Sequence, residues 1–393
     1  MTEKLKALGL CLGASTLSIV QLELDRRLNT NRTGNTKPRV LDYSLYIHEG
    51  DPKQTLLDTF DRLDLESFDR IAATGRKFRK FVNLSSIPEP EAVEHAYPYV
   101  KPSDVDCPAV VSAGGETFMV YALDRSGRIT NVITGNKCAS GTGEFFLQQL
   151  RRMNVSLDEA VQWAAVEDAH HVSGRCSVFC KSDCTHATNK GIPKSQVTAG
   201  LCRMMANKIL ELLKKVDRKN IMVAGGTAQN KVMIEYLRPQ IPGLIVPLEA
   251  PYFEALGAAL WALENKTAPY PGRANLLLTK VATFDNLPPL QHFADRVEFK
   301  TIESGRIQTA DTCILGLDVG STTTKAVLMR KSDDAMLASV YLRTNGDPVG
   351  ASRKCYHAIL EQVQQHVDPS QIFISGLGVT GSGRQIAGLH ALT

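Results

Sequence analysis

The chain has 393 residues, with 45 Lys and Arg against 41 Asp and Glu, a net charge of +4 at pH 7. So small a surplus, with no Lys/Arg block interleaved with aromatics, leaves no footprint for nucleic acid. Hydrophobic content of 43% and charged content of 22% are ordinary for a globular protein, and the length allows two or three domains. No apolar run approaches the roughly 18–20 residues needed to span a bilayer, so no membrane segment is expected. The early run Ala7 to Leu12 follows two lysines but lacks a cleavage site and reads as a strand, not a leader. Nine cysteines, odd in number and irregular in spacing, argue against a secreted disulfide framework and for a reducing cytoplasm.

In chain order, residues 6–24 predict strand, turn (Gly13-Ala14-Ser15-Thr16) and strand. Val40 to His48 is strand-like, Thr55 to Leu63 has helical spacing, and Asp69 to Thr74 is a short buried strand. A helix carrying prolines follows (Pro88 to Ala96), then the strand Ala109 to Ala113 running into Gly114-Gly115-Glu116. Phe118 to Leu123 and Ile129 to Ile133 form a hairpin around Asp124 to Gly127. Helices are expected at 143–153, 156–166, about 178–190 and about 195–216. Ile221 to Ala224 is a strand opening on Gly225-Gly226-Thr227-Ala228-Gln229-Asn230. A short strand is expected at Ile245 to Pro247, and Glu254 to Leu263 is an Ala/Leu/Gly helix suited to close packing. Residues 266–311 are proline-bearing and poorly periodic, a connector with one strand candidate at Val297 to Ile302.

The beginning then repeats. Leu8 to Thr16 lines up with Leu315 to Thr323, and Thr74-Gly75-Arg76 with Thr380-Gly381 and the Arg384 that follows. The expected organisation is therefore a complete module over 1–265, the connector, and the first part of a second module over 312–393. The chain is thus expected to be a piece of a longer protein or to end in a partial duplication.

A strand followed by Asp318-Val319-Gly320-Ser321-Thr322-Thr323-Thr324-Lys325 and another strand places backbone N–H groups and hydroxyls around an anion, with Asp318 able to hold a metal-bound water. Ser112-Ala113-Gly114-Gly115 and Gly225-Gly226 end two further strands in the same manner. Three Gly-rich strand ends separated by helices are far more specific than one.

Two cysteines precede helices: Cys138 in Asn136-Lys137-Cys138-Ala139-Ser140-Gly141-Thr142-Gly143-Glu144, and Cys176 in Ser173 to Phe179. A thiol ahead of a first helical turn meets the positive end of the helix dipole, which favours the thiolate that iron–sulfur clusters and zinc bind. Two cysteines cannot close a four-ligand site, but two copies about a twofold axis can. The alternative is a pair of buried free cysteines beside Gly-rich turns. Cys180 and Cys184 follow Cys176 at helical spacing, either as further ligands or, more simply, as a small-residue packing face.

This order of loops resembles the actin/sugar-kinase/Hsp70-like ATPase fold, an α/β architecture of duplicated ribonuclease-H-like mixed sheets flanked by helices. The cysteine motifs, with Glu91, His95, Gly225 to Asn230 and Ala255 to Leu260, resemble one branch of it: the BadF/BadG/BcrA/BcrD-type ATPases. These include activators of 2-hydroxyacyl-CoA dehydratases and ATPase subunits of benzoyl-CoA reductases. The resemblance implies an ATP-dependent reductive activase, a homodimer sharing one [4Fe-4S] cluster through Cys138 and Cys176 of each copy. It implies low-potential electron delivery to a CoA-ester dehydratase or reductase partner, gated by ATP and Mg²⁺. Nucleotide would lie on Gly13, Ser15, Thr16, Gly114, Gly115, Glu116, Gly225, Gly226 and Asn230. In the second module it would lie on Gly320, Ser321, Thr322, Thr323 and Lys325, with Asp318 catalytic. Two departures stand out: Cys11 and Ser112 occupy positions where the family carries Asp. Hydrolysis by the first module is therefore in doubt, and the alternative is a degenerate, non-hydrolysing nucleotide-binding scaffold that mediates dimerisation.

Overall fold

The structure, a computed structural model, describes residues 4–25, 37–75, 81–135, 141–164, 168–174, 176–278, 290–298, 300 and 304–391. They divide into two compact units, Met1–Phe146 with Cys202–Phe284, and Leu147–Leu201 with Asp285–Thr393.

The elements run β1 (Lys4–Leu12), β2 (Thr16–Asp25), β3 (Arg39–Ile47), α1 (Pro52–Phe60), β4 (Arg70–Thr74), β5 (Ser85–Ser86), α2 (Glu89–Val100), β6 (Ala109–Ala113), β7 (Phe118–Leu123) and β8 (Ile129–Thr134). Then come α3 (Gly143–Met153), α4 (Leu157–Ala164), α5 (Ser177–Asn189), α6 (Lys194–Leu212), β9 (Met222–Ala224), α7 (Lys231–Leu237) and α8 (Phe253–Glu264). The last segment gives β10 (Thr312–Val319), β11 (Thr323–Arg330), β12 (Met336–Arg343), α9 (Pro348–Gln364), β13 (Phe373–Thr380) and α10 (Arg384–Ala391).

Three sheets share one plan, in the orders β3-β2-β1-β4-β5, β8-β7-β6-β9 and β12-β11-β10-β13. In each, an antiparallel meander is completed by a parallel strand beside the first. β1 is buried on both faces, which explains its nearly continuous apolar sequence. Leu8, Leu10 and Leu12 pack with Leu56 and Phe60 of α1, whereas Leu5 and Ala7 pack with Leu256 and Ala259 of α8. The alternation is the two-residue period of a strand.

α8 is almost wholly buried. Two glycines permit its close seating. A Cβ on Gly9 of β1 would collide with Ala255 O and Ala259 N of α8, and one on Gly257 of α8 would collide with Ala92 O of α2. In the second unit, β10, β11, β12 and α9 enclose their own core around Leu317, Val319, Leu328, Cys355 and Ile359.

The repeated segments share register. Cys11 lies opposite Ser18 and beside Thr74; Asp318 lies opposite Lys325 and beside Thr380. Gly75 and Gly381 follow at positive φ (108° and 89°), each against a strand-end backbone where a Cβ would strike Leu12 O or Val319 O. Two expected strands do not form. Residues 245–247 contribute a single bridge, Ile245 to Met222, because Pro247 has no N–H to extend a ladder. Val297, Glu298 and Lys300, the described part of the other candidate, lie outside any strand.

Gly9→Ala and Gly257→Ala should each lower stability by about 1–3 kcal/mol through overpacking against backbone, read as a lower urea midpoint at unchanged slope.

Candidate functional site

In the first unit the Gly-rich strand ends converge. Gly13 N–H donates to Thr16 O at 2.8 Å, closing the β1–β2 turn, and Gly114 N–H donates to Thr117 O at 3.3 Å, closing the β6–β7 turn. The turns face each other: a Cβ on Gly115 would lie 3.1 Å from Ser15 Oγ and 3.2 Å from Ala14 Cβ. The first residues of α3 complete the cradle, Gly143 N–H donating to Gly114 O at 3.4 Å and Glu144 N–H to Gly115 O at 3.0 Å. Thr227, just after Gly225 and Gly226, donates its hydroxyl to Gly114 O at 3.2 Å. Gly225 has φ of 93° and packs so tightly on Ala113 that a Cβ would sit 2.6 Å from the Ala113 carbonyl oxygen.

Gly13, Ser15, Thr16, Gly114, Gly115, Gly225 and Gly226 thus belong to loops that meet, with Glu116 in the second turn. Asn230 is placed differently. Its side chain is buried, caps α7 by accepting Met233 N–H at 3.0 Å, and lies 3.4 Å (Nδ2) from Cys202 Sγ, so its visible contacts are structural.

Two carboxylates to which the sequence reading gave no role shape this region. Glu144, on the first turn of α3, accepts the Ser15 hydroxyl at 2.7 Å. Glu254, on the first turn of α8, is buried and accepts the Ser112 hydroxyl at 2.8 Å. Burial, reinforced by the Glu89 charge and only partly offset by the Ser112 bond, pushes the Glu254 carboxyl up to about 7. Burial likewise raises the Cys11 thiol well above its ordinary range, with the Glu254 and Glu89 charges adding to the effect. The signal for Glu254 was its isolation, one acid opening an otherwise apolar helix. Its partner is 142 positions away and could not be named.

In the second unit the corresponding turn closes through Gly320 N–H to Thr323 O at 3.0 Å, with Thr344 Oγ1 donating to Gly320 O at 2.8 Å. Ser321 and Thr322 face solvent. Asp318 and Lys325 form an ion pair at 2.8 Å, which raises the Lys325 ammonium chiefly through the hydrogen bond itself.

Cys138 lies outside the described residues. Cys176 is the N-cap residue of α5 and is half-buried, while Val178 and Phe179 on the first turn are exposed, at 69% and 65%. Cys180 and Cys184 point into the protein interior, and the Cys184 thiol is raised by its hydrogen bond with Cys180 and by burial. Cys184 is therefore a poor thiolate donor here. Among the described residues no group of three or more His, Cys, Asp or Glu is placed to hold a metal ion. No helix among them is long and apolar enough to cross a membrane.

Residues 70–262, which hold β4 to α8 and most of the first-unit loops, match the BadF/BadG/BcrA/BcrD ATPase family. The chain carries a BadF/BadG/BcrA/BcrD ATPase family domain. A protein of Methanocaldococcus jannaschii without assigned function is 27% identical over 194 residues, 49% of this chain and 78% of its own. The (R)-2-hydroxyglutaryl-CoA dehydratase activating ATPase of Acidaminococcus fermentans is 31% identical over 162 residues, 40% of this chain and 61% of its own length. The match therefore spans about three-fifths of that activator. The solved activator of the 2-hydroxyisocaproyl-CoA dehydratase from Clostridium difficile, with bound ADPNP, superposes with a TM-score of 0.56 at 22% identity, over 66% of this chain and 95% of that one. The fold is that of the actin-like and sugar-kinase ATPases, mixed sheets flanked by helices.

The raised carboxyl of Glu254 sets a pH dependence for the family domain. The native state keeps this proton where the unfolded chain has released it. Its contribution to stability is therefore greatest below about 4.5, falls as pH rises to about 7, and is level above that. Glu254→Gln should flatten that decline, measured as urea midpoints across the window.

Proposed function

We propose that the protein is an ATP-dependent reductive activase that donates low-potential electrons to a CoA-ester dehydratase or benzoyl-CoA-reductase-type partner in a reducing cytoplasm. The observation that carries this reading is Cys176: a half-buried thiol at the start of α5, beside exposed Val178 and Phe179. Exposed apolar side chains around a metal-binding thiol suit a second copy of the chain seated against them. On this reading Cys138 and Cys176 of two copies hold one [4Fe-4S] cluster, which supplies a one-electron donor whose potential is tuned by nearby N–H groups.

The nucleotide phosphates are assigned to the turns at Gly13 to Thr16 and Gly114 to Thr117, with Gly225 and Gly226 closing the far side. Support comes from the facing turns and from the likeness to an activator solved with ADPNP. The strand-end donors in the first unit do not suit Mg²⁺: Cys11 is held as a thiol, and Ser112 is committed to Glu254. No hydrolytic step is derived there. In the second module we assign the metal-bound water to Asp318, which is paired with Lys325.

The same two positions favour a second reading, a nucleotide-binding scaffold without turnover. A nucleotide titration run beside an ATPase assay separates the two, because the scaffold binds and does not hydrolyse.

Anaerobically reconstituted protein should contain iron and sulfide in equal amounts and a broad visible absorption. Cys176→Ala should remove essentially all bound iron and leave the unfolding free energy from urea titration within about 0.5 kcal/mol of the parent. Iron content unaffected by that change would end the electron-donor reading. In a separate measurement, Glu144→Gln should tighten ADP binding severalfold, because an incoming phosphate then meets no carboxylate on Ser15.

A further inference from the structure

Glu254 is a buried acid on the first turn of α8, and its Oε1 accepts the Ser112 hydroxyl at 2.8 Å. Ser112 lies on β6, two residues before Gly114. The Gly114 N–H closes the β6–β7 turn, and the Gly114 carbonyl receives Thr227 Oγ1 and the Gly143 N–H. A single hydroxyl thus joins the acid to the strand that carries this turn. Both groups are dry, Ser112 at 5% exposure and Glu254 at 9%.

Groups from the neighbouring elements face the same carboxyl. Cys11 of β1 is held as a thiol by burial. Glu89, on the first turn of α2, accepts the Tyr121 hydroxyl of β7 at 3.1 Å, and its charge acts on Glu254. The close seating of α8 on α2, where a Cβ on Gly257 would strike Ala92 O, keeps the two helices together. A phosphate on the nearby turn adds negative charge to a region that already holds two acids. In a dry setting that repulsion is relieved most directly by a proton on one carboxyl.

Ser112 decides which carboxyl takes it, because a hydroxyl has one hydrogen to donate. While Glu254 is ionised, that hydrogen is spent on the carboxylate. A protonated Glu254 donates to Ser112 Oγ instead and frees the hydroxyl hydrogen for another acceptor. We infer that Glu254 is a proton-linked positioning residue: a phosphate on the Gly114–Thr117 turn binds with Glu254 protonated, and Ser112 turns its hydrogen from the carboxylate to the phosphate. The inference rests on the assignment of nucleotide phosphates to that turn. One proton enters from solvent with the ligand and returns on release, and no covalent bond to the ligand changes. Burial, with the Glu89 charge adding to it, already places the Glu254 carboxyl at about 7, so the exchange falls near neutrality. A bound phosphate raises it further. Affinity is therefore highest below about 7 and falls as pH rises above it, by up to about tenfold per pH unit.

ADP is the probe, titrated calorimetrically into the full chain in two buffers of different ionisation enthalpy, so that proton uptake appears as a buffer-dependent heat. At about pH 8 the parent should take up most of one proton more than Glu254→Gln does, and at about pH 6 almost none. The ionisation of ADP itself is common to both proteins and cancels. Glu254→Gln keeps a donor to Ser112 and should hold ADP affinity level across this range. Adenosine, which has no phosphate, should bind without uptake. Ser112→Ala should weaken ADP severalfold at about pH 6 and leave adenosine unchanged. That variant and the ADP–adenosine comparison carry the test if Glu254→Gln fails to fold. Equal proton counts for parent and Glu254→Gln overturn the link and leave the nucleotide assignment standing. Unchanged ADP binding in Ser112→Ala overturns the hydroxyl contact. Failure of the parent to bind ADP overturns the assignment, and the inference with it.

Discussion

The first unit depends on how closely α8 can lie against β1 and α2. A helix apolar on nearly every side has to be covered on nearly every side, and here β1 and α2 do most of the covering. Gly9 and Gly257 remove the two Cβ atoms that would hold the backbones apart. Everything at the start of α8 follows from that seating. Glu254 arrives beneath β6 in a dry environment, where its carboxyl resists ionisation and bonds Ser112. A charged residue at position 11 or 112 would then put a second carboxylate into a site already occupied by Glu254 and influenced by Glu89. The uncharged thiol and hydroxyl avoid that repulsion.

The repeated β10–β13 sheet carries different side chains on the same register. Position for position, Cys11 opposite Ser18 becomes Asp318 opposite Lys325. The pair changes together: two neutral groups in one copy, an ion pair in the other. Asp318 and Lys325 are each more than a third exposed, so water stabilises both charges and the pair adds little to stability. Cys11 sits in the core that α8 completes, where an ion pair would be costly to desolvate. Backbone geometry is thus conserved within the chain, and burial selects the chemistry that each copy carries.

That distinction explains what the sequence made legible. Strand and helix order was readable because local periodicity sets it: β1 and β10 end in the same Gly-Ser/Thr turn, and α8 announces itself as a continuous apolar run. The three turns could be named in advance because glycine is needed where a backbone bends at positive φ or approaches another closely, as at Gly75 and Gly225. The strand expected at 245–247 failed because three residues ending in proline cannot sustain a ladder. What stayed hidden were side-chain pairs between distant segments. Ser112 with Glu254 and Ser15 with Glu144 each join residues more than a hundred positions apart. The guanidinium of Arg152 gave no sign of its place until α5 and the 321–322 turn were seen beside it. Cys180 and Cys184 were readable as a stripe, but whether the stripe faced a metal or a core required the packing that buries them.

Electrostatics then separates two turns of one geometry. In the first unit the turn hydroxyl, Ser15, is already bonded to a carboxylate that stands at the N-terminal end of α3, a place where negative charge is favoured. Glu144 thereby fills the role that a phosphate oxygen would take, and an arriving anion has to displace it. In the second unit the equivalent hydroxyl, Thr322, is exposed. The first turn is self-satisfied when empty and resists weakly bound anions. The two turns thus differ in the partners of their side chains, although the peptide backbone in each is folded the same way.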